Sequence, residues 1–166
     1  PLWDNNSSNT WSAATSNALL NGSGFLTYLG DTANKIAKTT WKVGGNTWDN
    51  IGMKKASIAY QNEINSPTPG SNSSTGETEY QAKIGLMYVS DYGFAANPVA
   101  WKYVLNGYGM TASNGIAVNK QNWLFNDNYE WTITRVSDVA RSVFQIHNTG
   151  LIRSAPVLDE GFMRPT

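Results

Sequence analysis

Few side chains in this chain could carry out catalysis. It has no cysteine, so a thiolate nucleophile is excluded. Its single histidine, His147, falls in a segment with strand-like alternation, and no motif pairs it with a serine. Among the twelve acidic residues, Asp127 and Glu130 form the one suggestive pair, and their positions fit the surface of a turn and a strand better than a general acid and base. We therefore predict that the domain is not an enzyme and uses no cofactor.

The aromatic residues are the other candidates, because an exposed aromatic ring can stack on the apolar face of a ligand such as a sugar. The chain has seven tryptophans and eight tyrosines. Trp48 and Trp101 lie in glycine- or loop-rich surroundings, and of the tryptophans these two are the candidates for a ligand contact. The patterns around four others predict positions in the core; these are Trp11, Trp41, Trp123 and Trp131.

The segment 122–135, NWLFNDNYEWTITR, has the clearest structural pattern in the chain. From Tyr129 to Arg135, larger side chains alternate with Glu and Thr, as in a half-buried strand. The preceding Asn126-Asp127-Asn128 is a turn-forming cluster, because these short polar side chains bond to their own backbone. We expect a strand that is reached through a tryptophan-anchored loop.

Helical patterns are short and confined to the beginning of the chain. A helix capped by Ser12 or Thr10 is predicted to end at Asn21-Gly22. Residues 48–63 match no single template and stay open between helix and strand. Residues 66–78, SPTPGSNSSTGET, lack large apolar side chains and predict a mobile surface loop.

Strand patterns account for most of the remaining chain. Residues 35–43 predict a strand closed by two glycines, and the apolar run within 80–89 predicts a second, central strand. Residues 143–152 predict a hairpin that turns at Asn148-Thr149-Gly150. The sum is an α+β domain with antiparallel sheets, one or two short N-terminal helices and long loops.

Composition limits the function further. With 166 residues the chain suits a single domain, 1–166, and its 12 basic and 12 acidic residues give no net charge. A neutral surface without basic runs argues against nucleic acid as a partner, and no apolar run is long enough for membrane insertion. Only 14% of residues are charged, which is typical of secreted bacterial binding domains. Because the chain begins at Pro1 we interpret it as a fragment of a longer surface protein.

Six stretches, in this order, resemble a known family. They are W-S-x-x-x-x-N-x-x-L-N at 11–21, K-I-x-x-x-x-W-K-V-G at 35–44, AKIGLMYVSDYGFAA at 82–96, NWLF at 122–125, EWTITR at 130–135 and RP at 164–165. The family is a poorly characterised extracellular domain of Gram-positive gut bacteria, often found after a pilin-like segment. Its pattern is related to the C-type-lectin-like fold of formylglycine-generating enzymes and of bacterial and phage receptor-binding proteins.

The resemblance implies a C-type-lectin-like fold on a bacterial surface. The activity of formylglycine-generating enzymes does not transfer, because it depends on cysteines and this chain has none. Phe125-Asn126-Asp127 is similar to the W-N-D element of calcium-dependent lectins, but Asn97-Pro98-Val99 supplies only one of the two carbonyl-bearing side chains that flank their proline. We therefore predict no metal site. In related domains the chain continues past the R-P pair into an apolar strand, so we expect the closing strand to come from elsewhere.

These observations predict a non-catalytic adhesion domain, secreted or on the bacterial cell surface, that recognises a glycan or a protein on another surface. The predicted ligand-binding residues are Trp101, Tyr103, Tyr108, Asn126, Asp127, Asn128 and Tyr129. The alternative is a structural head or repeating subunit of a pilus or surface filament, in which other copies of the chain are the partners. An unpaired sheet edge would favour that alternative.

Overall fold

A computed structural model of the chain describes residues 1–51, 53–65, 76–111 and 115–166. The α-helices are α1 (Thr15–Asn21), α2 (Ser23–Tyr28), α3 (Asp31–Lys35), α4 (Trp48–Ile51), α5 (Ala56–Tyr60) and α6 (Val89–Phe94). The strands are β1 (Thr39–Lys42), β2 (Glu79–Ala82), β3 (Glu130–Arg135), β4 (Ser142–Ile146) and β5 (Ile152–Pro156). Gln61–Asn65 forms a π-helical turn, and 3-10 turns occur at Trp11–Ala13, Pro98–Ala100, Leu105–Gly107 and Asn119–Gln121. The domain thus mixes short helices with antiparallel sheets, as predicted.

Helix α1 is where the sequence predicts a helix, but its cap is different. Ala14 precedes the helix in an extended conformation and makes no side-chain cap bond, so the predicted capping by Ser12 or Thr10 is wrong. Instead Asp4 Oδ1 accepts a hydrogen bond from the backbone N–H of Thr15 at 3.1 Å. A carboxylate from a remote segment therefore satisfies a free donor of the first turn.

The described residues form two antiparallel sheets. β1 pairs with β2, and β3, β4 and β5 form a three-stranded sheet in that order. The predicted β4–β5 hairpin is confirmed, and Gly150 in its turn has a φ of +89°, which glycine adopts without strain. β1 lies within the predicted 35–43 strand and is shorter, since α3 occupies the first residue of that range.

Strand β3 is the centre of the molecule, and all six of its residues are buried. The prediction of a half-buried strand is therefore wrong, because the sheet is covered on both faces. Trp131 and Ile133 belong to one hydrophobic cluster with Trp3, Trp11, Leu20 and Val143. The other cluster contains Tyr92, Leu105, Tyr108, Phe144, Ile146 and Ile152.

Residues 84–89 do not form the predicted central strand. β2 ends at Ala82, Leu86 makes only an isolated bridge with Pro165, and Val89 begins α6. This segment is buried, and its backbone bonds go to residues remote in sequence: Gly85 exchanges two hydrogen bonds with Thr166, each 3.1 Å long. Together with Phe162, whose carbonyl accepts from Trp131 N–H at 2.9 Å, these segments cover the second edge of β3.

Residues 48–63, which the sequence left open, contain α4, α5 and the first three residues of the π-helical turn. The predicted loop 66–78 lies largely outside the described residues, of which it includes only Gly76, Glu77 and Thr78. In the described part of the chain, no helix has the length and apolar character to cross a membrane.

Candidate functional site

The position of Trp123 differs from the prediction. It was predicted to lie in the core, and its side chain is 79% exposed. The neighbouring Asn122 provides the anchor, because its buried Nδ2 donates to the Tyr92 carbonyl at 2.7 Å and its Oδ1 accepts from Leu124 N–H at 2.9 Å. The polar residue is held inside, and Trp123 is consequently turned toward solvent.

A pocket of about 400 Å³ opens beside Trp123. Its lining residues are Met87, Asp91, Phe94, Ala95, Trp123, Leu124, Arg164 and Thr166. Most of these side chains are apolar, and one carboxylate and one guanidinium are included. A cavity of this size and composition falls within the range of about 300–1,000 Å³ that is typical of small-molecule sites.

Three further aromatic rings, here called the aromatic row, extend from the pocket. Phe94 meets Trp101 edge-on at a centroid distance of 5.4 Å and meets Tyr60 edge-on at 6.2 Å. All three are partly exposed, between 38% and 41%. Trp101 Nε1 donates to the Ala96 carbonyl at 2.9 Å, which fixes the indole. Edge-to-face packing of this kind holds the rings in a defined arrangement.

Helix α6 positions the acidic side of the pocket. It carries both Asp91 and Phe94, and Asp91 Oδ2 accepts from Tyr88 N–H at 2.9 Å before the first turn. Burial raises the pKa of Asp91, while this hydrogen bond opposes the rise. The carboxylate is thus held at the pocket with one oxygen already engaged.

The basic side of the pocket is built on Glu130. Arg164 Nη2 donates to Glu130 Oε2 at 2.9 Å, and Arg164 Nε lies 2.8 Å from Glu130 Oε1. Glu130 is almost fully buried, and burial raises its pKa while the charge of Arg164 opposes the rise. The prediction that Glu130 lies on the strand surface is wrong, because Arg164 and the C-terminal segment cover it.

The predicted site residues fall into four places: the aromatic row, the core, the turn 126–128 and a separate small cavity. Trp101 belongs to the aromatic row, and Tyr103 is half-buried against the core, with Lys102 Nζ 5.3 Å from its ring centroid. Tyr108 does not reach a surface: it is fully buried, and its hydroxyl donates to the Gly93 carbonyl at 3.0 Å. A bulky tyrosine in a glycine-rich stretch thus fills the core, so it cannot contact a ligand there.

The predicted turn 126–128 is exposed, and it adjoins the pocket through one contact. Asn126 Nδ2 donates to Glu130 Oε2 at 3.0 Å, beside Arg164. Asp127 has a φ of +60°, as an Asp or Asn in a tight turn can adopt, and its carboxylate is 3.5 Å from Lys120 Nζ. The turn therefore supports the basic side of the pocket and does not line it.

Tyr129 belongs to a separate, smaller cavity of about 230 Å³. Its ring lies between Arg153, 4.9 Å from the centroid, and His147, which meets it edge-on at 4.9 Å. Burial and the charge of Arg153 lower the pKa of His147. His147 Nδ1 is 2.8 Å from Thr149 Oγ1 in the hairpin turn, so the imidazole is held by its own loop.

Sequence reasoning missed most of the pocket. Phe94, Asp91 and Arg164 lie in stretches that were noted only for their resemblance to a family, and Tyr60 lay in the unassigned region. No local pattern marks Trp123 as exposed, because the position of this loop depends on the hydrogen bond from Asn122 Nδ2 to the remote Tyr92 carbonyl. Among the residues that the structure describes, no group of three or more His, Asp or Glu side chains could hold a metal ion.

Comparison of the chain with protein-family models, with curated proteins and with solved structures finds no match. The resemblance to C-type-lectin-like domains accordingly stays a prediction.

Proposed function

We propose that this chain is a non-catalytic binding domain that acts outside the bacterial cell, and that the pocket beside Trp123 receives a glycan. The observation that carries the proposal is a tryptophan that is 79% exposed at the rim of a cavity of about 400 Å³. A protein surface is the second ligand class that this pocket would fit.

Exposure of a single aromatic side chain would not support a binding site, since isolated apolar residues are normal on protein surfaces. Tyr28 is 85% exposed and belongs to neither the pocket nor the aromatic row. Trp123 differs because it lies beside a concave surface whose wall, Phe94, leads into the aromatic row. Clustered exposed aromatics beside a cavity are typical of recognition surfaces.

The pocket offers the two kinds of contact that a sugar ring requires. The face of the Trp123 indole can cover the apolar C–H face of a pyranose. Asp91 can accept hydrogen bonds from hydroxyl groups, and Arg164 can donate to hydroxyl oxygens. The net charge of the chain is zero, which suits a neutral ligand better than a polyanion.

The lining residues favour binding over hydrolysis. Asp91 is the only acid among them, and Glu130 beside them already holds Arg164 and Asn126. His147 lies at the Tyr129 cavity instead. A general acid and base that converge on one bond do not occur within this lining.

The test compares the wild-type chain with two variants on a glycan array and in a cell-binding assay. Trp123→Ala removes the exposed ring at the pocket, and Tyr28→Ala removes an equally exposed ring elsewhere. We expect at least about a tenfold loss of affinity for Trp123→Ala and no change for Tyr28→Ala, because only the first ring would be desolvated by the ligand. Binding to cells stripped of their glycans would identify a protein ligand. A wild-type chain that binds neither would refute the proposal.

The alternative, a subunit of a pilus or filament, would be favoured by an unpaired sheet edge, but the free edge of β3 is covered by other segments of the chain. Phe162 and Met87 cover the side of β3 that β4 leaves open, because their carbonyls accept hydrogen bonds from Trp131 N–H and Ile133 N–H. The alternative predicts concentration-dependent assembly of the purified chain through some other surface. Light scattering that shows only monomers would count against it.

A further inference from the structure

The aromatic row leads out of the pocket beside Trp123, and the pocket alone does not account for it. Phe94 belongs to both, because its ring lines the pocket and also packs edge-on against Trp101 and Tyr60. Trp101 and Tyr60 do not line the pocket, although they are 40% and 41% exposed. A ligand confined to the pocket would therefore leave both rings in water.

Trp123 and Trp101 are held by the same short segment at the end of α6. The backbone N–H of Trp123 donates to the Ala95 carbonyl at 3.3 Å. The next carbonyl, that of Ala96, accepts a hydrogen bond of 2.9 Å from Trp101 Nε1. Phe94 directly precedes these two alanines. The three aromatic residues are thus fixed by the segment 94–96, and they lie side by side.

The packing of α5 on α6 fixes the remaining ring of the row. The two helices meet at Ala56 and Gly93, where a Cβ atom on the glycine would lie 2.5 Å from the Ala56 Cβ. On the π-helical turn after α5, the buried Glu63 adds a hydrogen bond of 3.1 Å from a backbone N–H in the first turn of α6. Tyr60 and Phe94 are therefore preorganised, and a ligand need not order them on binding.

Neighbouring rings of the row face different directions. The planes of Phe94 and Trp101 meet at 86°, and those of Phe94 and Tyr60 meet at 71°. A sugar ring stacks with its flat apolar face on one aromatic ring, so a single sugar cannot stack on two rings that are nearly perpendicular. Each exposed ring beyond the pocket therefore requires a further sugar unit.

The charged groups lie at the pocket end of this surface. Asp91 is one helical turn before Phe94 on α6, and Arg164 lines the same pocket. These two side chains can fix one sugar unit through hydrogen bonds to its hydroxyl groups. The rings of the row carry no charge, so they would hold the next unit by stacking.

We propose that the ligand is a glycan chain of at least two joined sugar units, with one unit in the pocket and the next on the exposed face of Trp101. This second contact rests on the proposed function of the pocket, since it extends a glycan that is already bound there. Trp101 receives the second unit because it is fixed to the carbonyl that follows the one holding Trp123. The domain therefore binds a chain more tightly than the same sugar alone.

The first test follows the indole N–H signals of Trp123 and Trp101 in the wild-type chain by NMR. The probes are the glycan chain that gives the strongest signal on the array and the single sugars of which it is composed. We expect the chain to shift both signals and to bind at least about tenfold more tightly than any of its single sugars, which should shift Trp123 alone. A chain that leaves the Trp101 signal unchanged would overturn the second contact, and this measurement needs no variant.

The second test measures the ratio of the affinity for the chain to the affinity for the single sugar. Trp101→Ala should lower this ratio about tenfold, because the second unit loses its stacking partner. Trp101→Phe keeps a ring but loses the hydrogen bond to Ala96, and it should retain most of the ratio. Tyr28→Ala is the matched control and should leave the ratio unchanged. Equal losses in the two Trp101 variants would assign the effect to the hydrogen bond and refute the stacking role.

The outcomes separate the second contact from the function of the pocket. A single sugar that binds as tightly as the chain refutes the contact with Trp101 and leaves the pocket as a glycan site. An array on which no glycan binds refutes the glycan function of the pocket, and the second contact with it.

Discussion

Arg164 and Glu130 form the ion pair on which one side of the pocket depends. Glu130 lies inside the protein, and Arg164 covers it from the C-terminal segment while also donating to the Leu124 carbonyl at 2.8 Å. A buried ion pair of this kind adds little net stability compared with apolar residues, but the loss of one partner leaves an uncompensated charge. The pair therefore fixes the loop that presents Trp123.

Removal of the arginine alone should be costly. We expect Arg164→Met to lower the free energy of unfolding by about 3 kcal/mol at neutral pH, because Glu130 is left buried and unpaired. The double variant Glu130→Gln/Arg164→Met should recover most of the loss, since no charge remains. Urea denaturation of the two variants provides the comparison. Equal losses in both would show that packing of the arginine, and not charge, is what matters.

The pH dependence of stability provides a prediction for Glu63. Its pKa is about 7 in the folded protein and has its usual value of 4.5 when exposed, so the folded state binds the proton more tightly. The stability that this proton provides is complete below pH 4.5 and is lost as the pH rises to about 7. Relative to Glu63→Gln, the wild type should lose about 3 kcal/mol across that interval. The pKa values of Asp91 and Glu130 are also raised, and because both proteins contain these groups, the difference isolates Glu63.

At the level of single residues, the sequence predicted burial better than exposure. Trp131 was placed in the core by alternation, and it is fully buried. Trp123 follows the same apolar pattern, and nothing local distinguishes it. Its exposure depends on a hydrogen bond between Asn122 and Tyr92, 30 residues away in sequence, which a pattern of neighbouring residues cannot reveal.

Among the elements, the turn between β1 and α4 passes very close to β3. Gly45 has a φ of +77°, and a Cβ atom there would contact the backbone carbonyl and the Cγ of Arg135. The close approach lets Asn46 N–H donate to the Arg135 carbonyl at 3.0 Å. Glycine is required at this position for both its conformation and its small size.

Two glycine substitutions should have opposite effects. We expect Gly45→Ala to lower the free energy of unfolding by about 2 kcal/mol or more, because of left-handed strain and the clash with Arg135. Gly24 lies in α2 with open space around its Cβ position, so Gly24→Ala should raise stability by about 0.5 kcal/mol through its helix propensity. Thermal unfolding of both variants is the measurement. Similar effects at the two sites would contradict the argument.

The sequence predicted the elements whose conformation follows from neighbouring residues. It did not predict the elements that depend on contacts with residues distant in sequence. The β4–β5 hairpin follows from alternation and a glycine turn, and β3 follows from its alternating pattern. Residues 84–88 form an apolar run without a period, and Gly85, packed under the Trp41 ring, pairs with Thr166 instead of a strand neighbour. The helices α4 and α5 have four and five residues, so they depend on tertiary packing that the sequence pattern does not encode.

In the whole molecule, one sheet separates two hydrophobic clusters. Trp131 and Val143 face one of them, and Phe144 and Ile152 face the other. Because the strands contribute to both clusters, neither cluster can keep its packing when the sheet is lost. The α+β class could be predicted from the sequence, whereas this layering could not, since it requires the pairing of distant segments.

We expect the domain to unfold in a single transition. Leu105→Ala in one cluster and Leu20→Ala in the other should each cost about 2–5 kcal/mol, the usual range for a buried leucine. In both variants, far-ultraviolet circular dichroism and tryptophan fluorescence should shift together. Two separate transitions would show that the clusters belong to independent units.

The indole of Trp3 links the first residues of the chain to strand β3, which is synthesised much later. Its Nε1 donates to the Thr132 carbonyl at 3.0 Å across a sequence separation of 129 residues. On the ribosome, Trp3 and Trp11 emerge long before the sheet that covers them exists. Folds dominated by contacts between residues so distant in sequence form slowly, in about milliseconds to seconds. These two indoles therefore stay without their core contacts until β3 has been made, and only then can the cluster around them close.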